Sequence, residues 1–303
     1  LIPRIALTHP LIFILNFLSA FITTFLTLLA RRPHVIVVSM PPGDAGLGSI
    51  LGCRLLAGRI FVDYRDEWED YALSLSKSRF SREFYESVKN LAAFFYRGSK
   101  QVVTVTPALV KSLRKRGIER VSLMPNGADI RVFKPSKRNR SVSSSSKFDI
   151  VYSGMVGGYY RLDIVVEALN KIVNELRDVK LVIIGDGGVS RILELASKLG
   201  VRYNVEYLGV RDDRGEVARI VAEADVGVIP YDDNELWRNS LPAKFFEYCA
   251  CGIPVIAMAR EDSLLAQLIR ENRIGLVVSP MNPNQLWNAF KQLHQDAKFR
   301  EEA

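Results

Sequence analysis

Short, almost unbroken apolar runs alternate with segments of helical period along most of the chain. Apolar runs bounded by Gly, Pro, Asn and Asp read as buried strands, and the 3.6-residue periods between them as amphipathic helices. In the first half this predicts strands over 34–40, 59–64, 101–106 and 121–124, with helices over 43–57, 81–96 and 107–116. In the second half it predicts strands over 149–153, 180–184, 205–208, 226–230, 254–258 and 275–278. Helices fall between them at 162–177, 190–199, 215–223, 242–251 and 263–271, and a last one starts at Asn284. Apolar strands separated by helices argue for parallel sheets covered on both faces, an α/β class of fold.

Residues 11–29 are the most apolar stretch, with Asn16, Ser19, Ala20, Thr23 and Thr27 forming one small, polar stripe at helical spacing. Three readings stay open: a helix packed within an α/β domain, one lying in a membrane leaflet, and one spanning the bilayer. Nineteen residues at about 1.5 Å each fall just short of a hydrocarbon core of about 30 Å. The segment also runs straight into a strand pattern, and no small-residue cleavage site precedes Arg31. Residues 134–147 are Ser-, Lys- and Arg-rich without periodicity, as a linker would be. This sets an expected division into domains at 1–140 and 148–303, joined by 141–147. Leu1 is not a Met, and the chain stops in helical sequence at Glu301-Glu302-Ala303, as expected of a piece of a longer protein.

Ligands of such sheets gather beyond the carboxyl ends of the strands, so the loops there hold the candidate chemistry. Gly154-Met155-Val156-Gly157-Gly158 follows one strand and Gly185-Asp186-Gly187-Gly188 the next; both suit close backbone approach to a phosphate. Neither has dinucleotide-binding spacing or a Walker lysine. Val210 and Arg211 complete the rim, and Arg161 is the nearest cation to the first loop. The densest stretch is 239–256, which opens with Asn239 and Ser240. It then predicts a helix begun by Leu241-Pro242, stopped at Gly252, with Phe245, Phe246, Cys249 and Ala250 as its apolar face. Lys244 and Glu247 lie one turn apart near its amino end. They read either as grips for a phosphate and a ribose or as an exposed ion pair worth a few tenths of a kcal/mol, ~0.3.

Composition narrows the classes. Cys53, Cys249 and Cys251 offer no disulfide framework, and the three His show no metal-site spacing, so no metal is expected. Charge is divided unevenly. Residues 1–147 hold 23 Lys and Arg against 10 Asp and Glu, a net +13, whereas the remainder holds 18 against 23, a net −5. An anionic partner is expected for the first half; without aromatic interleaving, a membrane surface or phosphorylated substrate fits better than nucleic acid.

Several of these blocks resemble glycosyltransferase family 4: Ile150-Val151-Tyr152-Ser153-Gly154, Gly185-Asp186-Gly187, Tyr207-Leu208-Gly209, and Leu241-Pro242-Ala243-Lys244-Phe245-Phe246-Glu247-Tyr248 before Gly252-Ile253-Pro254. In the first half, Met124-Pro125-Asn126-Gly127-Ala128-Asp129 is similar too, and Arg65-Asp66-Glu67-Trp68 resembles an Arg-Asp-x-Trp block of the surface-polysaccharide branch. The resemblance implies a GT-B fold: two Rossmann-like domains whose parallel sheets face a cleft. It implies transfer of a sugar from a nucleotide-diphosphate sugar, UDP or GDP, with retention of configuration and no cofactor or metal.

In that reading Glu247 binds the donor ribose, and Arg161 and Lys244 hold the diphosphate. Gly154, Gly157, Gly185, Gly187, Val210, Arg211, Asn239 and Ser240 line the donor, while Arg65, Asp66 and Asn126 lie on the acceptor side. Two departures stand out: Ser240 replaces the first of the family's paired glutamates, and Met155 stands where many members carry Arg. With the basic first half, the expectation is a cytoplasmic enzyme, peripheral on the inner face of the cell membrane, facing a polyprenyl-phosphate-linked or polysaccharide acceptor. The rivals are a nucleotide-sugar 2-epimerase, disfavoured by the scarcity of His, and a non-catalytic nucleotide-binding membrane partner.

Overall fold

A computed structural model of the chain describes residues 9–56, 59–136, 147–176 and 178–302. It divides into two compact units, Leu1–Pro125 and Asn126–Ala303. Residues 126–136 thus go with the second unit, where Phe133 enters the core. Most of the expected linker, 141–146, lies outside the described residues, and Lys147 already belongs to a strand.

The first unit runs α1 (Pro10–Arg31), β1 (Val35–Met40), α2 (Gly43–Leu55), β2 (Arg59–Tyr64), α3 (Trp68–Leu75), α4 (Arg79–Arg97), β3 (Gln101–Thr104), α5 (Pro107–Lys115) and β4 (Val121–Leu123). Its sheet is parallel in the order β1-β2-β3-β4. The short helix α3 follows Glu67, where the sequence pattern shows no period, because Trp68, Glu69 and Ala72 are its buried face and one of them is charged. Even-numbered strand residues Val38, Ile60, Val62, Tyr64 and Val102 form the core with α2, α4 and α5. The opposite face carries Val35, Val37, Phe61, Asp63, Val103 and Met124 around an open hollow of about 320 Å³. Both faces were expected to be covered; among the described residues this one is not, with Val37 66% exposed. Consecutive parallel strands wound in one direction put every crossover helix on the same side.

Helix α1 is not enclosed by the unit. It lies along α2, with Phe13 and Leu28 its buried residues. Asn16 donates to Asp44 (2.7 Å) and Thr24 to Ser49 (3.0 Å), and a Cβ on Gly48 would come within 2.2 Å of the Phe17 carbonyl oxygen. Only part of the anticipated small stripe faces α2, since Ser19, Thr23 and Thr27 are exposed. Leu11, Leu15, Leu18, Ile22, Leu26 and Leu29 recur along the outward face.

The second unit runs β5 (Lys147–Ser153), α6 (Leu162–Val173), β6 (Asp178–Ile184), α7 (Val189–Lys198), β7 (Val205–Gly209), α8 (Arg214–Glu223), β8 (Val226–Pro230), α9 (Ala243–Ala250), β9 (Val255–Met258), α10 (Leu264–Asn272), β10 (Gly275–Val278), α11 (Pro283–Gln295) and α12 (Ala297–Glu302). All six strands are parallel, in the order β10-β9-β8-β5-β6-β7. The order reverses beside β5, so helices cover both faces and two apolar clusters form, one on each side. That reversal sets the loop after β5 among those after β6, β8 and the start of α9.

Candidate active site

Helix α9 is built around an inward-facing charged pair. Lys244 and Glu247 are each 7% exposed, while Phe246, Cys249 and Ala250 are half-buried. The exposed ion pair that the sequence allowed is therefore absent. Glu247 Oε1 instead accepts from Arg214 Nη2 at 2.8 Å, and that guanidinium lies 5.0 Å from the Phe133 ring. The next residue, Tyr248, receives its place from Ser153, whose backbone N–H donates to the Tyr248 hydroxyl at 3.0 Å.

Lys244 has no comparable partner. Its Nζ is buried without a hydrogen bond. It stands 3.9 Å from the centre of the Tyr152 ring and 3.8 Å from that of Tyr160. Desolvation drives its pKa well below the usual lysine range, against a smaller upward pull from Glu247. Gly154 makes room for the amine: a Cβ there would be 2.9 Å from Nζ, and the residue adopts φ +130°.

The two glycine turns are laced to each other. Val156 N–H donates to the Asp186 carbonyl (2.7 Å) and Gly188 N–H to the Val156 carbonyl (2.8 Å). A Cβ on Gly185 would lie 1.9 Å from the Gly154 oxygen, and one on Gly187 2.3 Å from the Val156 oxygen. Close approach was expected toward a phosphate; at Gly185 and Gly187 the approach is to neighbouring backbone. Gly157, at φ +93°, accepts from Tyr160 N–H and so returns the chain toward α6.

The remaining expected residues have partners of their own. Arg161 sits at the N-cap of α6 with its Nε 2.8 Å from Asp163 Oδ1 and its Nη1 against the Met281 sulfur, so its charge is already engaged. Arg211, beside Val210 on the loop after β7, pairs with Glu216 at 2.9 Å. Asn239 and Ser240 lead into α9 and are half-buried. Asn126, expected on the acceptor side, belongs to the second unit and donates to the Leu241 carbonyl at 3.0 Å, next to the start of α9. The Tyr160 ring that meets Lys244 stacks on Tyr231, and Tyr231 on Trp237 (ring centres 5.4 and 4.7 Å). Arg214, Tyr152 and Tyr160 are the residues missed in the sequence; their contacts cross 33 or more positions or arise from loops without a period, so no local signal marks them.

In the first unit, Arg65 pairs with Asp63 at 2.9 Å. Asp66 is exposed as a residue, yet surrounding protein mass, then Glu69 and Glu67, push its carboxyl up to about 7. Glu69 is fully buried and was not anticipated. It accepts from Arg116 Nη2 (3.0 Å) and the Tyr64 hydroxyl (2.8 Å).

Comparison with known proteins fits this architecture. Residues 147–296 match the family described as glycosyl transferases group 1, and residues 3–127 match a glycosyl transferase 4-like domain. The D-inositol 3-phosphate glycosyltransferase of Paenarthrobacter aurescens is 26% identical over 220 residues, 68% of this chain and 51% of that protein. The phosphatidyl-myo-inositol mannosyltransferase of Mycobacterium tuberculosis is 26% identical over 170 residues, 54% of this chain and 40% of that protein. The chain thus spans about half the length of the curated relatives it matches, or less. Among solved structures, Anabaena HepE in complex with UDP and glucose is 17% identical, with 100% of this chain and 76% of that one covered at a TM-score of 0.71. WaaG, a glycosyltransferase involved in lipopolysaccharide biosynthesis, superposes at a TM-score of 0.66 and 17% identity, over 94% of this chain and 88% of that one. With each parallel-sheet unit matched by its own family description, the chain belongs to the family 4-like glycosyltransferases of the GT-B fold.

Proposed function

We propose that this chain transfers a sugar, with retention of configuration and without a metal, from a nucleotide-diphosphate sugar to a hydroxyl acceptor. The observation that carries this reading is the Lys244 amine, buried and unbonded at the Gly154 turn, one helical turn from a carboxylate. A buried polar group without a partner calls for an explanation, and a diphosphate supplies the acceptor oxygens and charge it lacks. As the glycosidic bond to the donor breaks, negative charge grows on the diphosphate. Preorganised donors placed there stabilise that charge selectively. Lys244 at the Gly154 turn fills this role, while Arg161 holds Asp163 at the head of α6.

Glu247, fixed by Arg214, accepts from the ribose hydroxyls. Val210 and Arg211 flank the base, Asn239 and Ser240 the hexose, and Asp66 with Arg65 orients the acceptor. Anabaena HepE, solved with UDP and glucose, supports a nucleotide-sugar donor. Free UDP or GDP at a hundredfold over its Kd should stabilise the protein by about 2.7 kcal/mol in a thermal-shift assay. Replacing Glu247 with Ala should lower transfer on the order of 10²-fold. Protein that answers to neither nucleotide would sink the proposal.

The acceptor is read as lipid-linked, polyprenyl-phosphate or polysaccharide in type, reached from the cytoplasmic leaflet. The mannosyltransferase relative, named for phosphatidyl-myo-inositol, supports a lipid-borne acceptor. Within this chain the support is the exposed Leu11–Leu15–Leu18–Ile22–Leu26 face of α1 on a half with net charge +13. An apolar helix face and basic charge together favour an anionic surface. Flotation with phosphatidylglycerol vesicles is expected at low salt. It should weaken with added salt or when Leu15 and Ile22 become Ser; protein that stays off such vesicles argues for a soluble acceptor.

A further inference from the structure

We propose that the site takes up a proton as it takes up its nucleotide diphosphate, the proton going to Lys244. This rests on the donor-site reading above and adds that the empty site holds a neutral amine.

The argument begins with what faces Nζ. From β5 comes the Tyr152 ring, and from the loop before α6 the Tyr160 ring and Gly154. From α9 itself comes the charge of Glu247, whose Oε1 is bonded to Arg214 of α8. Arg161 and Asp163, at the head of α6, are paired with each other. An ammonium carries three donors, and here it meets two ring faces and no acceptor. Cation–π attraction, even when desolvated, is weaker than the cost of stripping an ammonium of its water. Desolvation wins, and the amine stays unprotonated, in line with the downward direction of its pKa.

A diphosphate at the Gly154 turn reverses the balance. Its oxygens accept from the amine and its charge favours the ammonium. The step is R–NH2 + H⁺ → R–NH3⁺, with the proton drawn from buffer and no covalent bond in protein or ligand broken. Affinity should then depend on pH with the sign of that proton. Above the pKa of the free amine and below that of the bound one, it falls about tenfold for each unit of pH rise.

Titration calorimetry with UDP-glucose and GDP-mannose tests this, because their diphosphates, esterified at both ends, neither gain nor lose a proton near neutrality. At about pH 8, runs in buffers of different ionisation enthalpy should show about one proton taken up per nucleotide sugar by the wild-type chain. With Lys244→Met the uptake should vanish. In the empty protein, NMR of isotope-labelled lysine should find Lys244 as a neutral amine at the same pH. Binding with no proton uptake and flat affinity across this range would overturn the proposal while leaving the donor site standing. So would an ammonium in the empty protein, or uptake that persists in Lys244→Met. Absence of binding by either nucleotide sugar would overturn the site reading, and this proposal with it.

Discussion

Lys244→Met is expected to make the empty protein more stable and the nucleotide complex at least a hundredfold weaker. Both effects come from one atom. Nζ is buried, without a hydrogen bond, between two tyrosine rings. A buried donor left unsatisfied costs about 1–3 kcal/mol, and Met fills similar space without that penalty. For a unit of this size the gain corresponds to a rise on the order of 5 °C in Tm. Weaker binding follows because Met offers neither charge nor donors to a diphosphate.

The stability gain has a defined pH dependence. Desolvation holds the folded pKa of Lys244 below its unfolded value, so between the two the unfolded chain binds the extra proton and stability rises with pH. The advantage of Lys244→Met should therefore shrink as pH climbs toward the unfolded value. Differential scanning fluorimetry across a pH series, with and without UDP or GDP, reads both effects. A variant that loses stability, or binds nucleotide as well as wild type, would show that Lys244 is a packing residue.

Glu69→Ala should be the most damaging single change in the first unit. The carboxylate is wholly buried and takes one hydrogen bond from Arg116 and one from Tyr64. Arg116 has weaker contacts besides: to the Tyr64 hydroxyl at 3.3 Å, to the Lys89 carbonyl at 3.4 Å, and to the face of the Tyr96 ring at 5.9 Å. Burial opposes its charge, but Glu69 first and Tyr64 next outweigh that and keep its pKa above the usual range. Removing one partner of such a pair strands the other, at a cost of about 3–5 kcal/mol. Replacing both together, Glu69→Leu with Arg116→Met, should recover most of the loss. Urea unfolding of the two single variants and the double variant measures this coupling; additive losses would mean the pair does not act as a unit.

Glu69 also shows why part of the structure escaped the sequence pattern. In Trp68–Leu75 a glutamate occupies the inward position beside Trp68 and Ala72, so the apolar period that announces other helices is broken. What makes the position tolerable is Arg116, 47 residues away. The same holds in the second unit. Lys244 and Glu247 were recognisable as candidates one turn apart, but Arg214, which decides that Glu247 pairs elsewhere, lies 33 residues back. The glycine turns were legible as turns; that Gly185 and Gly187 press on the backbone around Gly154 and Val156 was not.

By itself the sequence determined the strand–helix alternation of both units, the parallel sheets, and the glycine-rich loops beyond the strand ends. Periodicity and Gly/Pro punctuation are local, and short-range sterics and side-chain alternation suffice to set them. The tertiary structure alone decided which charges are satisfied: Glu69 by Arg116, Glu247 by Arg214, Arg161 by Asp163, and Lys244 by no group among the described residues. Desolvation and pairing depend on what packs around a group, and those neighbours come from distant parts of the chain.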